Sequence, residues 1–154
     1  MPKKSSNPDK SVYLKCREDR DLTRAEASEL LEYITEDRLE KVENGRSPIQ
    51  PDEALTMAER YKAPELCNYY CAHECPIGRK YVPEIEIKAV SQIVLEMLSS
   101  LNSMEDKKNR LIDIVVDGKI TEDEVTDFSV IRRELDKISM AVDALNLWCS
   151  KMES

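Results

Sequence analysis

The chain has 154 residues, of which 35% are charged and 5% aromatic, with three glycines and a single phenylalanine. That length holds one domain of ordinary size, or a small domain with an appendage, and the mix favours helices and excludes a β-sandwich, which needs aromatic and β-branched strands. The net charge is -8, with 14 Lys+Arg against 16 Asp+Glu up to Lys80 and 9 against 15 beyond it, so any DNA contact must rest on a local patch acting against the overall field.

Residues 1–10, MPKKSSNPDK, carry three lysines (Lys3, Lys4 and Lys10) and no apolar stretch. They are expected to form a flexible basic tail rather than a secretory signal. No apolar run approaches the ~18 residues a membrane span requires. The expected location is therefore the cytoplasm, where thiols stay reduced and the five cysteines form no disulfide framework.

A first helix is expected over residues 11–20, with Tyr13 or Leu14 and Cys16 inward. Thr23-x-x-Glu26 is a capping box that opens a second helix, with Ala27, Leu30, Leu31 and Ile34 as its apolar stripe. Thr35 caps a third helix over residues 36–44, in which Leu39 and Val42 point inward and Gly45 supplies the left-handed stop. After Ser47-Pro48, a fourth helix over residues 51–61 presents Ala54, Leu55, Ala58 and Tyr61 to the same core.

The segment 67–83 is irregular and reads as a short helix running into a loop that connects two parts. Its Cys67, Cys71, His73 and Cys75 are the right ligand types for zinc or an iron–sulfur centre. The spacing differs from the common Cys-x2-Cys knuckles, and cysteines four apart serve equally well as a small buried stripe.

Residues 84–154 have the clearest periodicity. Val90, Met97, Met104 and Leu111 recur at sevens, interleaved with Val94, Leu101, Lys108 and Val115. Phe128, Leu135, Val142 and Cys149 interleave with Ile131, Ile138, Leu145 and Met152. Such heptads specify helices packed lengthwise as in a coiled coil, and the short connector at Asp117-Gly118 makes them antiparallel. Thr121-x-x-Glu124 is a capping box for the second. A lone two-helix hairpin leaves much of its stripe uncovered, which predicts a homodimer through residues 84–154. The stretch DIVVDGKITEDE half matches a calcium loop, but Val115 stands at a ligand position, so a plain hairpin turn is expected.

The order Arg17, Leu22-Thr23-Arg24, Ala27, Leu39, Val42-Glu43-Asn44-Gly45-Arg46, Pro48, Ala58 resembles the phage-repressor-like (Cro or Xre type) helix-turn-helix family. That family comprises bacterial and phage DNA-binding regulators, and the resemblance covers residues 11–63. It implies a structural ion pair between Arg17 and Glu43. It implies a phosphate contact from Arg24 and base contacts from the start of the third helix. The DNA-binding set so implied is Arg24, Thr35, Glu36, Asp37, Arg38, Lys41 and Arg46, with Glu40 among the outward positions.

Two departures stand out: the third helix is acidic at Glu36, Asp37 and Glu40, and an extra residue near Glu32 replaces the usual tight glycine turn. An acidic side chain can accept from cytosine N4, yet near phosphates it repels.

The expected architecture is thus all-α: a helix-turn-helix domain of four to five helices over residues 11–66, the connector 67–83, and a long antiparallel helical hairpin. The expected function is a dimeric, sequence-specific transcriptional regulator that binds double-stranded DNA. The alternative is an interaction module whose acidic third helix binds a basic protein partner. With one histidine, no phosphate loop and no nucleophile beside an evident base, no enzymatic activity, cofactor or membrane association is expected.

Overall fold

The computed structural model describes residues 11–153; the basic tail 1–10 and Ser154 lie outside the described residues. No strand occurs among the described residues, and no helix among them is long and apolar enough to cross a membrane. The chain separates into two compact units. One runs to Glu84 and takes in the chain end from Ser150, and the other is Ile85–Cys149.

In the first unit, helices α1 (Val12–Asp19), α2 (Arg24–Leu31), α3 (Glu36–Glu43) and α4 (Pro51–Arg60) surround one core. Local chemistry sets each boundary. Ser11 caps α1 by accepting from the Leu14 amide. Thr23 and Glu26 form the full capping box of α2, and Thr35 accepts from the Arg38 amide to start α3. Gly45 (φ +66°) ends α3: its amide donates to Val42 O and the Arg46 amide to Lys41 O, so the left-handed glycine satisfies two terminal carbonyls.

The core buries Tyr13, Cys16, Ala27, Leu31, Ile34, Leu39, Val42, Ile49, Ala54, Met57, Ala58, Tyr61 and Leu66. On α4 the inward stripe is Ala54, Met57, Ala58 and Tyr61, and Leu55, expected inside, is exposed. The i, i+3, i+4, i+7 spacing explains the correction, because it sets Leu55 one step round the helix from the core.

The cysteine segment packs within this unit. Helix α5 (Glu65–Tyr69) continues into a π turn at Tyr70–Glu74, and α6 (Gly78–Tyr81) folds back on it. Tyr13 donates its hydroxyl to Glu74 at 2.8 Å, and its ring meets Tyr69 edge to face. Gly78 makes the fold-back fit, because a Cβ there would lie 2.0 Å from the Cys71 carbonyl oxygen.

The second unit contains α7 (Val90–Val115) and all but the end of α8 (Val125–Glu153). Arg110 pairs with Asp127 at 2.8 Å, and Ser103 donates to the Glu134 carboxylate beside Lys107. Both pairs are symmetric about the Gly118–Lys119 peptide, which fixes an antiparallel register. Gly118 (φ +73°) turns the chain, Asp117 accepts from the Lys119 amide, and Glu124 accepts from the Thr121 amide before α8 begins.

Each helix turns one expected heptad row inward and one outward. On α7 the inward rows are Met97, Met104, Leu111 and Ile93, Ser100, Lys107, Ile114; Val94, Leu101, Lys108 and Val115 are exposed. On α8, Ile131, Ile138 and Leu145 face inward with Glu134, Ala141 and Trp148, whereas Leu135, Val142, Cys149 and Met152 are exposed. The inner seam admits polar Lys107 and Glu134, because the Ser103, Lys107 and Glu134 groups interact across the hairpin, and small Ser100 is buried there as well. Cross-helix polar contacts, and not the greasiest row alone, select the register.

Candidate nucleic-acid interface

The interface is built on α2, the turn, and α3. The turn residue Glu32 has φ +64°, and the Tyr33 amide donates to Leu31 O at 2.8 Å. That is the positive-φ form of the γ-turn, rare and strained for a residue with a Cβ. Glu32 therefore adopts a backbone conformation that glycine takes at no steric cost. Three contacts hold it: Glu32 with Arg60 at 2.8 Å, Ser28 donating to Ile34 O at 2.9 Å, and the Tyr33 hydroxyl against Thr56.

Beneath α2 and α3 lies a charged brace. Glu43 is 1% exposed at its side chain and takes Arg17 Nε at 2.5 Å, Arg17 Nη2 at 2.9 Å and Arg24 Nε at 2.9 Å. Arg17 also donates to the Leu22 carbonyl at 2.6 Å. The hydrogen bonds to Glu43 hold the Arg17 guanidinium above its ordinary pKa, outweighing burial. The brace thus joins α1, the start of α2 and the end of α3 through one carboxylate. Tyr61 is also buried here; among the described residues its hydroxyl has no hydrogen-bond partner, and burial pushes its pKa up.

A second brace sits at the other end of α3. Arg38 donates two hydrogen bonds to the Glu53 carboxylate at 2.7 and 2.6 Å, one to Ser47 Oγ at 2.6 Å and one to the Pro48 carbonyl at 2.8 Å. Glu53 also accepts from the Gln50 amide at 2.8 Å, capping α4. Arg38, read from the sequence as a DNA contact, therefore ties α3 to the following loop and to α4. The sequence reading had missed Glu53 and Ser47, and the Gln50–Glu53 capping spacing was the signal available for them.

The remaining set faces solvent. Thr35, Glu36 and Asp37 are exposed at the start of α3; Lys41 pairs with Asp37 at 2.6 Å, and Arg46 with Glu40 at 3.2 Å. All four side chains of those two pairs are well exposed, so each pair contributes about 0–1 kcal/mol and exchanges readily for another anion. Arg24 keeps 37% of its side chain exposed while bound to Glu43.

Cys67, Cys71, His73 and Cys75 lie along α5, the π turn and the start of the fold-back. Among the described residues no three His, Cys, Asp or Glu side chains come together as a metal would require. His73 instead stacks on Tyr69 at 4.5 Å and pairs with Glu84 at 2.8 Å, and Cys75 Sγ accepts from the Gly78 amide. Burial pushes the Cys67 thiol up, which keeps it neutral, as a small packing side chain. Comparison with protein-family models, with curated proteins and with solved structures finds no match.

Proposed function

We propose that the chain is a sequence-specific DNA-binding regulator of the phage-repressor-like (Cro or Xre) type, of bacterial or phage kind, acting as a dimer through its helical hairpin. One observation carries the reading. The helix-turn-helix is braced from within by Glu43 and Arg38, and beyond the Thr35 cap the outward residues Glu36, Asp37 and Lys41 are exposed, with Glu40 half-buried beside Arg46. A rigid helix whose outer row is exposed and held only by surface ion pairs suits a reader of base edges in the major groove.

The phosphate contacts fall to Lys41, Arg46 and the exposed part of Arg24, while Arg38 serves as a positioning residue. Lys41 and Arg46 would trade their carboxylate partners for phosphates, and Glu36 or Asp37 would accept from cytosine N4. The test is selection from a random duplex pool at two salt concentrations. Lys41→Ala with Arg46→Ala is expected to weaken binding to all sequences alike and to reduce the salt slope by roughly two contacts. Enrichment of no duplex at low salt would refute the reading.

A second reading is favoured by the charge pairing. Arg24, Arg38, Lys41 and Arg46 each face a carboxylate, and Glu36 stands exposed. On that reading the surface docks a basic protein segment. Its mark would be binding to a lysine-rich peptide, weakened by Glu36→Gln with Asp37→Asn, and no binding to duplex.

A further inference from the structure

The irregular stretch over residues 82–89 leads into α7, and its Ile85, Glu86 and Lys88 join α7 and α8 around a cleft of about 520 Å³. The whole cleft lies within the second unit. Lys88 ties the stretch to α7 through Glu96, at 3.0 Å. The hollow has a cause in the sequence. Where long side chains would fill the space beside Ile93, the two helices bring Ser100, Ala141 and Ala144. Packed interiors leave few voids larger than a water molecule, whereas this volume falls within the range of about 300–1,000 Å³ usual for small-molecule sites.

A buried hydroxyl faces this hollow. Ser100 is 8% exposed, and its hydroxyl hydrogen-bonds to no other described residue. A polar group so far removed from water needs a replacement partner, and this one opens on the cleft. The charges around the cleft cancel, Glu86 and Glu96 against Lys88 and Lys137. Lys88 is held by Glu96 and by Glu86 at 3.5 Å, and Lys137 by Glu134 at 3.0 Å. An ion entering the cleft would thus lose water and meet lining charges that are already paired, an unfavourable exchange.

We propose that the cleft binds an uncharged, largely apolar small molecule carrying one hydrogen-bonding group, which is seated against Ser100. Its body lies on Ile93, Met140, Ala141 and Ala144. The exposed apolar side chains of Leu95 and Met140 belong to this site as its lips. The proposal stands apart from the DNA reading and is tested without duplex.

The test is a fluorescence titration of the full chain with N-phenyl-1-naphthylamine, an uncharged apolar probe with a single N–H. Wild type is expected to bind it at one site per chain. The same probe bearing a sulfonate, 8-anilinonaphthalene-1-sulfonate, should bind about tenfold or more weakly. Ala144→Leu, which fills the cleft, should weaken binding by about tenfold or more. Leu101→Ala, outside the lining, should leave it unchanged. The N-methylated probe has no N–H to donate and should bind wild type roughly three- to tenfold less tightly; Ser100→Ala should bind both probes alike. Helicity measured alongside separates a filled cleft from a lost fold. If Ala144→Leu unfolds, the near-isosteric Ser100→Ala still carries the test. Absence of binding, binding unmoved by Ala144→Leu in a folded chain, or tighter binding of the sulfonate would overturn the proposal. So would equal affinity of wild type for the N–H and N-methyl probes.

Discussion

Removing the carboxylate of Glu43 should be among the most damaging single changes in the first unit. Glu43 and Arg17 expose only 1% and 7% of their side chains, so Glu43→Gln would strand a guanidinium away from water with its counter-charge gone and one of its three hydrogen bonds lost. Breaking a buried pair of this kind costs about 3–5 kcal/mol, because the surviving charge keeps its desolvation penalty. Against a total stability on the order of 5–15 kcal/mol, that is roughly a fifth or more. A domain of this size loses roughly 4–8 °C per kcal/mol, so the midpoint should fall by at least about 12 °C. The assay is urea and thermal unfolding followed by far-UV ellipticity. The only tryptophan, Trp148, lies in the hairpin, and its fluorescence should report an unchanged second transition. Arg17→Met with Glu43→Leu, which removes both charges and keeps the volume, should recover most of the loss. The reasoning fails if Glu43→Gln costs under about 1 kcal/mol, or if the double variant is as unstable as the single changes summed.

Three further predictions address other groups. Hydrogen bonds from Arg38 hold the Glu53 carboxyl below its ordinary range, against the opposing pull of burial. A depressed folded pKa adds stability that is present above the unfolded value of about 4.3 and is lost as pH falls through the folded value. Urea midpoints should therefore decline on acidification below about pH 4.3, and Glu53→Gln should flatten that decline while lowering stability at neutral pH; an unchanged pH slope would count against it. Tyr61→Phe should be neutral or stabilising by up to about 1 kcal/mol in thermal melts, since its buried hydroxyl has no partner among the described residues; a clear loss would reveal a bond unaccounted for. Glu32→Gly should raise the midpoint, worth about 0.5–1 kcal/mol, by relieving the positive φ at the cost of an exposed ion pair; a fall in stability would mean the Arg60 contact dominates.

What could be read from the sequence was mostly local. Thr23, Glu26, Thr35 and Gly45 announce the ends of α2 and α3, because caps and left-handed stops depend on residues within one turn. The inward roles of Ala27, Leu39 and Val42 followed from period. Arg38 was harder: its partners Glu53 and Ser47 come within reach only after the loop over residues 44–50 folds α4 back. Charge alone made it look like a surface contact. The hairpin shows the same limit. Counting apolar residues named one inward row correctly on each helix and took the neighbouring row for its companion. Lys107 and Glu134 occupy the seam for reasons of pairing that hydrophobicity does not register. The π turn after Tyr69 had no local signal except the Gly78 against which it packs.

The double hold on α3 also divides labour within eight residues. Leu39, Val42 and Glu43 anchor the helix, Arg38 locks it to α4, and the other positions are at liberty to vary. A library randomised at Glu36, Asp37, Glu40 and Lys41 should consequently stay folded in nearly every member. Preference for a target could then drift, or be engineered, with no toll on the scaffold, and new specificities would lie only one or two substitutions away.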